Sequence, residues 1–225
     1  LVDTVAPSLS REAFFAQVNL DPALPTVALL PGSREIEIQY ILPTILEAVE
    51  RLSERRNLQF VLAVAPTLDA RGIEARLRQS AVAARRVRVA PHVAYEALAY
   101  SDVAIVASGT ATVEAALLER PMVVVYRVSP VTAFFARRMV DVPFFSMVNI
   151  LAGKAVVPEL IQQDFTAERL ATEVARLLDS SETRSEMLKE LRTVKSRLGE
   201  SGAIERVADA AVRMIREESR ASAGG

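Results

Sequence analysis

The stretch Val27-Ala-Leu-Leu-Pro-Gly-Ser-Arg-Glu-Ile-Glu-Ile38 runs four apolar residues into Pro31-Gly32-Ser33-Arg34, then into a helix start carrying Glu35 and Glu37. An apolar run that stops at a glycine turn and gives way to helical spacing opens a strand–helix unit. Thr26–Leu30 reads as a short buried strand. Ile38, Ile41, Leu42, Ile45, Val49 and Leu52 then recur on one helical face, which predicts an amphipathic helix over residues 35–55. Pro43 is expected in the first turns of that helix or as a kink in it.

The same alternation continues outward. Strands are predicted at Gln59–Ala65, Arg86–Ala90, Asp102–Ala107 and Met122–Arg127. Helices are predicted at Leu68–Gln79, 93–100 and Thr110–Leu118. Alternating strands and helices imply an α/β fold, a Rossmann-like parallel sheet with helices on both faces. Upstream, Pro7, Pro22 and Pro25 break residues 1–25 into a linker-like stretch with one short helix around Arg11–Val18. Past residue 128 the pattern changes. Residues 130–140 read as helical and 142–158 as irregular, and helices follow near 166–178, 182–198 and 202–217 as a helical C-terminal tail. The last carries an apolar stripe of Ile204, Val207, Ala208, Ala211, Val212 and Ile215, and the final Ala-Ser-Ala-Gly-Gly reads as a frayed end.

The chain has 225 residues, is 51% hydrophobic and carries a net charge of -1. That is enough apolar material for a full core, and it supplies no basic field for nucleic acid. Without cysteine there is neither a disulfide framework nor a thiolate metal site. One histidine and scattered carboxylates make no metal-ligand set. No apolar run reaches the roughly 18 to 20 residues that span a bilayer, and no signal peptide is visible. The chain opens Leu1-Val2-Asp3 without methionine, so the natural N-terminus is expected upstream.

Two loops carry the chemistry. Pro31-Gly32-Ser33-Arg34 follows the first strand and Ser108-Gly109-Thr110 follows the fourth. Each leads into a helix start, where free N–H groups and the helix dipole favour phosphate, and Arg34 adds a planar positive fork. Neither loop is a Walker A or a Gly-x-Gly-x-x-Gly motif, so ordinary strand-to-helix turns remain an alternative. Glu114 lies one helical turn beyond Thr110, placed either to receive two vicinal hydroxyls such as those of a ribose or simply to complement the dipole. His92 follows Pro91 on the ligand side, as a base contact or a surface residue. Ser108 sits in Ala-Ser-Gly rather than Gly-x-Ser-x-Gly, which argues against a hydrolase nucleophile. Phe134-Phe135, Arg137-Arg138-Met139 and Phe144-Phe145 form an apolar and basic cluster, read as core packing with solvated arginines or as a membrane-surface contact.

Leu29-Leu30-Pro31-Gly32-Ser33-Arg34 with Glu37-Ile38 resembles the signature of the lipid-A-disaccharide synthase family. Ser101-Asp102 with Ala107-Ser108-Gly109-Thr110-Ala111-Thr112-Val113-Glu114 is similar to its second signature, and Pro121–Arg127 to the strand that follows. Asn149-Ile150-Leu151-Ala152-Gly153 and Val157-Pro158-Glu159-Leu160-Ile161-Gln162 resemble the third. The blocks come in the family's order and cover about residue 1 to about residue 215.

The resemblance implies a two-lobed glycosyltransferase fold of the B type, with this chain as the C-terminal, donor-binding lobe. Residues 1–25 would be a linker from the other lobe, 26–165 the nucleotide-sugar domain, and 166–225 helices that pack on or exchange with the other lobe. The implied reaction, that of a hexosyltransferase, moves 2,3-diacylglucosamine from UDP to 2,3-diacylglucosamine 1-phosphate with inversion and without a cofactor or metal. Arg34 would stabilise the leaving diphosphate. Gly32, Ser33, Ser108, Gly109 and Thr110 would supply donors, and Glu114 would hold the ribose. Asn149, Glu159 and Gln162 would complete the donor pocket, although Met147-Val148 stands where the family usually has Leu-Pro before that asparagine. The general base, an aspartate, is expected in the acceptor lobe and matches nothing here. A homodimer, and a cytoplasmic location with peripheral contact to the inner membrane, are further expectations. A non-catalytic UDP-sugar-binding module, or another enzyme of this fold that uses UDP-N-acetylglucosamine, stays open as the alternative.

Overall fold

The structure, a computed structural model, describes residues 4–129 and 143–198. The helices predicted over 130–140 and 202–217, and the cluster Phe134–Met139, lie outside them.

Six parallel strands form one sheet in the order β3-β2-β1-β4-β5-β6. They are β1 (Thr26–Leu30), β2 (Gln59–Val64), β3 (Val87–Pro91), β4 (Val103–Ala107), β5 (Met122–Tyr126) and β6 (Glu159–Ile161). Every residue of β1, β2 and β4 is buried, as expected for strands covered on both faces. The helices among the described residues are α1 (Arg11–Val18), α2 (Glu35–Arg55), α3 (Ala70–Leu77), α4 (Ala81–Arg86), α5 (Ala94–Tyr100), α6 (Thr110–Leu117), α7 (Met147–Ala152), α8 (Ala167–Asp179) and α9 (Ser181–Arg197).

Helix α2 buries the stripe predicted for it. Pro43 lies beyond the first turns, and the helix continues through it. Proline there removes one intrahelical donor. Next to it, Arg127 donates to Thr44 Oγ1 at 2.7 Å and also to the Phe165 carbonyl, tying α2 to the β6–α8 connection. Helix α8 packs on α2 and buries Leu170, Val174 and Leu177 in the same core as the sheet. Each such side chain contributes on the order of 1.5–3 kcal/mol.

The first residues also join this core. Phe14 and Phe15 of α1 are fully buried. Gln59 clamps the chain just upstream of β1, accepting from Asp21 N–H at 2.9 Å and donating to Asp21 O at 2.7 Å and Thr26 Oγ1 at 2.9 Å.

Three elements depart from the sequence reading, the first being helix α4 between the predicted helix at Leu68–Gln79 and β3. The segment expected to be irregular over 142–158 contains α7, capped by the Ser146 hydroxyl and ended by Gly153 at φ 70°. A sixth strand, β6, adds to the sheet edge beside β5.

The strand order fixes where a ligand fits. From β1 the chain winds outward to β2 and β3, then returns to β4 on the other side of β1. The β1–α2 and β4–α6 turns therefore lie side by side at the carboxyl edge, with Leu30 paired to Val106. This reversal of strand order opens a crevice between the two turns.

Candidate functional site

A cleft of about 760 Å³ occupies that crevice. Gly32, Ser33, Arg34, Ser108, Gly109, Thr110 and Glu114 all line it, and so do His92 and Tyr126. Thr4, Ala6 and Ser8 form part of its wall.

The two glycine turns differ in what they offer. In the first, the Glu37 carboxylate turns back and accepts from Ser33 N–H at 2.7 Å and Arg34 N–H at 3.2 Å. Two donors at the start of α2 are thus already engaged by an internal anion. Gly32 makes room for it: at φ 125°, a Cβ on residue 32 would stand 2.3 Å from Glu37 Oε2. The spacing of Glu37 three residues after Arg34 is the sequence signal for this cap. Thr67 Oγ1 donates to Ser33 O at 2.6 Å and anchors the turn from the β2–α3 side.

The second turn is open. No side chain caps the N-terminus of α6 among the described residues. Gly109, at φ 159° and ψ -162°, leads the chain into the helix in a conformation that glycine adopts readily. Thr112 Oγ1 donates inward, to Gly109 O at 2.7 Å. The orphan N–H groups and the dipole of α6 make this the anion-ready end of the cleft. Arg34 is exposed on the cleft wall and takes part in no ion pair among the described residues.

Glu114 is half-buried on α6. Burial pushes its carboxyl pKa above the usual range, and a hydrogen bond from the Tyr95 hydroxyl opposes that shift. His92 is exposed and holds φ 61°, with its backbone N–H on Val64 O at 3.2 Å. Beside Tyr95, Glu96 is buried and accepts from Ser8 N–H and Ser8 Oγ, both at 2.7 Å, and from Leu9 N–H at 3.3 Å. These bonds hold its pKa below the usual range against the upward push of burial. They also fasten the segment that forms the cleft wall.

Asn149, Glu159 and Gln162 are not in the cleft lining. Asn149 is 1% exposed and fully engaged. Its Nδ2 donates to Val157 O at 2.9 Å and Glu159 Oε1 at 2.7 Å, and its Oδ1 accepts from Val156 N–H at 2.7 Å and Val157 N–H at 3.0 Å. The Glu159 carboxylate also accepts from Phe145 and Ser146 N–H, both at 2.9 Å. This network reaches the site indirectly, because Ser108 Oγ donates to Phe145 O at 3.0 Å. Gln162, at φ 54°, donates its N–H to Tyr126 O at 2.9 Å and receives Arg127 on its carbonyl at 3.2 Å.

Sequence reasoning alone did not single out Tyr95 or Glu96. They come together with Glu114 and Ser8 only through the packing of α5, and no local motif marks them.

Solved structures share this architecture. The spinosyn rhamnosyltransferase SpnG complexed with spinosyn aglycone aligns with TM-score 0.60 and 19% identity, covering 91% of this chain and 50% of that one. A putative UDP-N-acetylglucosamine 2-epimerase from Listeria monocytogenes aligns with TM-score 0.60 and 16% identity, covering 96% and 51%. The chain shares the doubly wound α/β architecture of these structures. In sequence, the lipid-A-disaccharide synthase of Myxococcus xanthus is 44% identical over 216 residues, which are 96% of this chain and 56% of that protein. The chain thus spans about half the length of the curated relatives it matches. The family model for lipid-A-disaccharide synthetase matches residues 1–212. With nearly all of its length matched, the chain belongs to the lipid-A-disaccharide synthetase family.

Proposed function

We propose that this chain supplies the UDP-sugar donor site of an enzyme that transfers 2,3-diacylglucosamine from UDP to 2,3-diacylglucosamine 1-phosphate. The observation that carries the reading is the cleft at the strand-order reversal, where the uncapped α6 N-terminus and Arg34 share one wall-to-wall space. In this reading the diphosphate lies at the α6 N-terminus, and Arg34 neutralises the charge that grows on it as the glycosidic bond breaks. Glu114 receives the ribose hydroxyls. Ser108 and the Asn149–Glu159 network hold the neighbouring chain in place. The acceptor hydroxyl and its base come from the rest of the full-length protein. The full-length protein works as a homodimer that meets the cytoplasmic face of the membrane peripherally. No helix among the described residues is long and apolar enough to cross a membrane.

Titration calorimetry tests the donor site. UDP is expected to bind more tightly than UMP, and Arg34→Ala is expected to remove most of that difference. A charge-assisted phosphate contact contributes about 1.5–3 kcal/mol. Equal UDP affinity in both proteins would rule out the phosphate role of Arg34.

Glu114→Ala separates a ribose contact from a dipole residue. The ribose role predicts weaker UDP binding with inorganic pyrophosphate unaffected. A dipole role alone predicts a slightly lower melting temperature and unchanged affinity for both ligands.

A further inference from the structure

Among the described residues the carboxylates lining the cleft are Glu37, Glu96 and Glu114, and each is placed differently. Glu96 is engaged by Ser8 and Leu9, and Glu114 sits on α6. Glu37 folds over the first glycine turn, and its two oxygens are used unequally. Oε2 accepts from both Ser33 N–H and Arg34 N–H, whereas Oε1 accepts from no group among the described residues.

The carboxylate is fixed from several sides. It lies in the space that a Cβ on residue 32 would fill, a Cβ that would stand 2.7 Å from Glu37 Cβ and 3.0 Å from its Cδ. Thr67 pins the turn through Ser33 O, and the fully buried Ile38 pins the first turns of α2. A half-buried acceptor is thereby held at the α2 end of the cleft with lone pairs to spare. Glu35, also in the first turn of α2, pairs with Arg76 and does not line the cleft.

Glu37 changes what this end of the cleft can receive. A guanidinium beside free N–H groups would make the α2 end a second anion site. Glu37 instead occupies those N–H groups and sets a negative charge at the same turn as Arg34. The α6 N-terminus, with no capping side chain, remains ready for an anion. One end of the cleft thus takes negative charge, and the other takes hydrogen-bond donors.

We propose that Glu37 is a specificity-determining residue: its free oxygen accepts a hydroxyl of the donor sugar, and its charge excludes a third phosphate from the sugar's place. A 2,3-diacylated glucosamine keeps hydroxyls at its 4 and 6 positions, and both can donate. A terminal phosphate offers acceptors and negative charge, which a carboxylate repels. The cleft thereby separates a UDP-sugar from UTP, although the two share the uridine and both inner phosphates. This rests on the donor reading proposed above.

The test uses the full-length protein and its Glu37→Gln and Glu37→Ala variants. Glutamine keeps a carbonyl oxygen for the Ser33 and Arg34 N–H groups and removes the charge. Calorimetry with UDP and UTP, without divalent metal, reads the anion preference at low and high salt. The ratio of the two Kd values compares two ligands on the same folded protein, so a partial loss of stability does not alter it. UTP is expected to bind the parent protein more weakly than UDP. In Glu37→Gln the UTP-to-UDP Kd ratio is expected to fall about five- to tenfold at low salt, and less at high salt. KM for UDP-2,3-diacylglucosamine is expected to rise about three- to tenfold while UDP affinity holds. A merely structural role would weaken UDP and the sugar donor together. Glu37→Ala, which also releases the two N–H groups, is expected to lower the ratio at least as far, at a lower Tm. An unaltered ratio or an unaltered donor KM in Glu37→Gln would overturn the proposal alone. Failure of the parent protein to bind UDP would overturn the donor reading and this inference with it.

Discussion

Arg34→Ala in the full-length protein is expected to cut disaccharide synthesis about 10²–10³-fold, the scale seen when one preorganised charge-stabilising donor is lost. The effect should fall mainly on kcat, because the diphosphate gains charge as the anomeric bond breaks. Arg34 suits this role because it faces the cleft and is committed to no ion pair among the described residues. The 225-residue chain by itself is expected to make no product. It spans 56% of the Myxococcus xanthus relative, and the cleft proposed as its donor site has no aspartate among the lining residues. Binding a donor does not accelerate transfer unless the acceptor hydroxyl is also positioned and deprotonated. Product formation on labelled acceptor, with the chain and the full-length protein side by side, measures both effects. Robust synthesis by the chain alone would place the base within these residues.

Asn149→Ala is expected to destabilise the fold strongly. The side chain is buried and makes four hydrogen bonds to Val156, Val157 and Glu159. Alanine would strand Val157 N–H and C=O in a dry interior and leave the Glu159 carboxylate short of a donor. Each stranded group costs about 1–3 kcal/mol, so a loss of roughly 3 kcal/mol or more follows. For a chain of this size that lowers Tm by roughly 6–12 °C. Calorimetric melting of the two proteins checks it. An unchanged Tm with weakened UDP affinity would instead make Asn149 a direct ligand contact.

Strands β1, β2, β4 and β5 were legible because they are buried on both faces and read as nearly unbroken apolar runs. Thr26–Leu30 and the helix over 35–55 were read to the residue, as was α1. The short elements were not. Helix α7 spans six residues, too few to establish a period, although Ser146 and Gly153 mark its two ends. Strand β6 has three residues and opens on Glu159, a carboxylate that strand patterns exclude. Helix α4, also six residues, follows Ser80 with an alanine-rich stretch that carries no apolar face. The two glycine turns were legible as phosphate candidates, since strand, glycine and helix start are all local signals. Their inequality was not, because it depends on which N–H groups Glu37 already occupies. The Tyr95–Glu114 contact joins residues on separate helices, and only tertiary packing brings them together.

The folded-back Glu37 has a consequence for inhibitor chemistry. A competitive compound whose anionic group extended to the α2 end of the cleft would place like charge beside this carboxylate. A scaffold with separated polarity suits the cleft better: an acceptor group aimed at the α6 N-terminus, and a neutral or cationic donor aimed at Glu37. Such a compound would also shed the charge that slows passage of nucleotide analogues through lipid barriers.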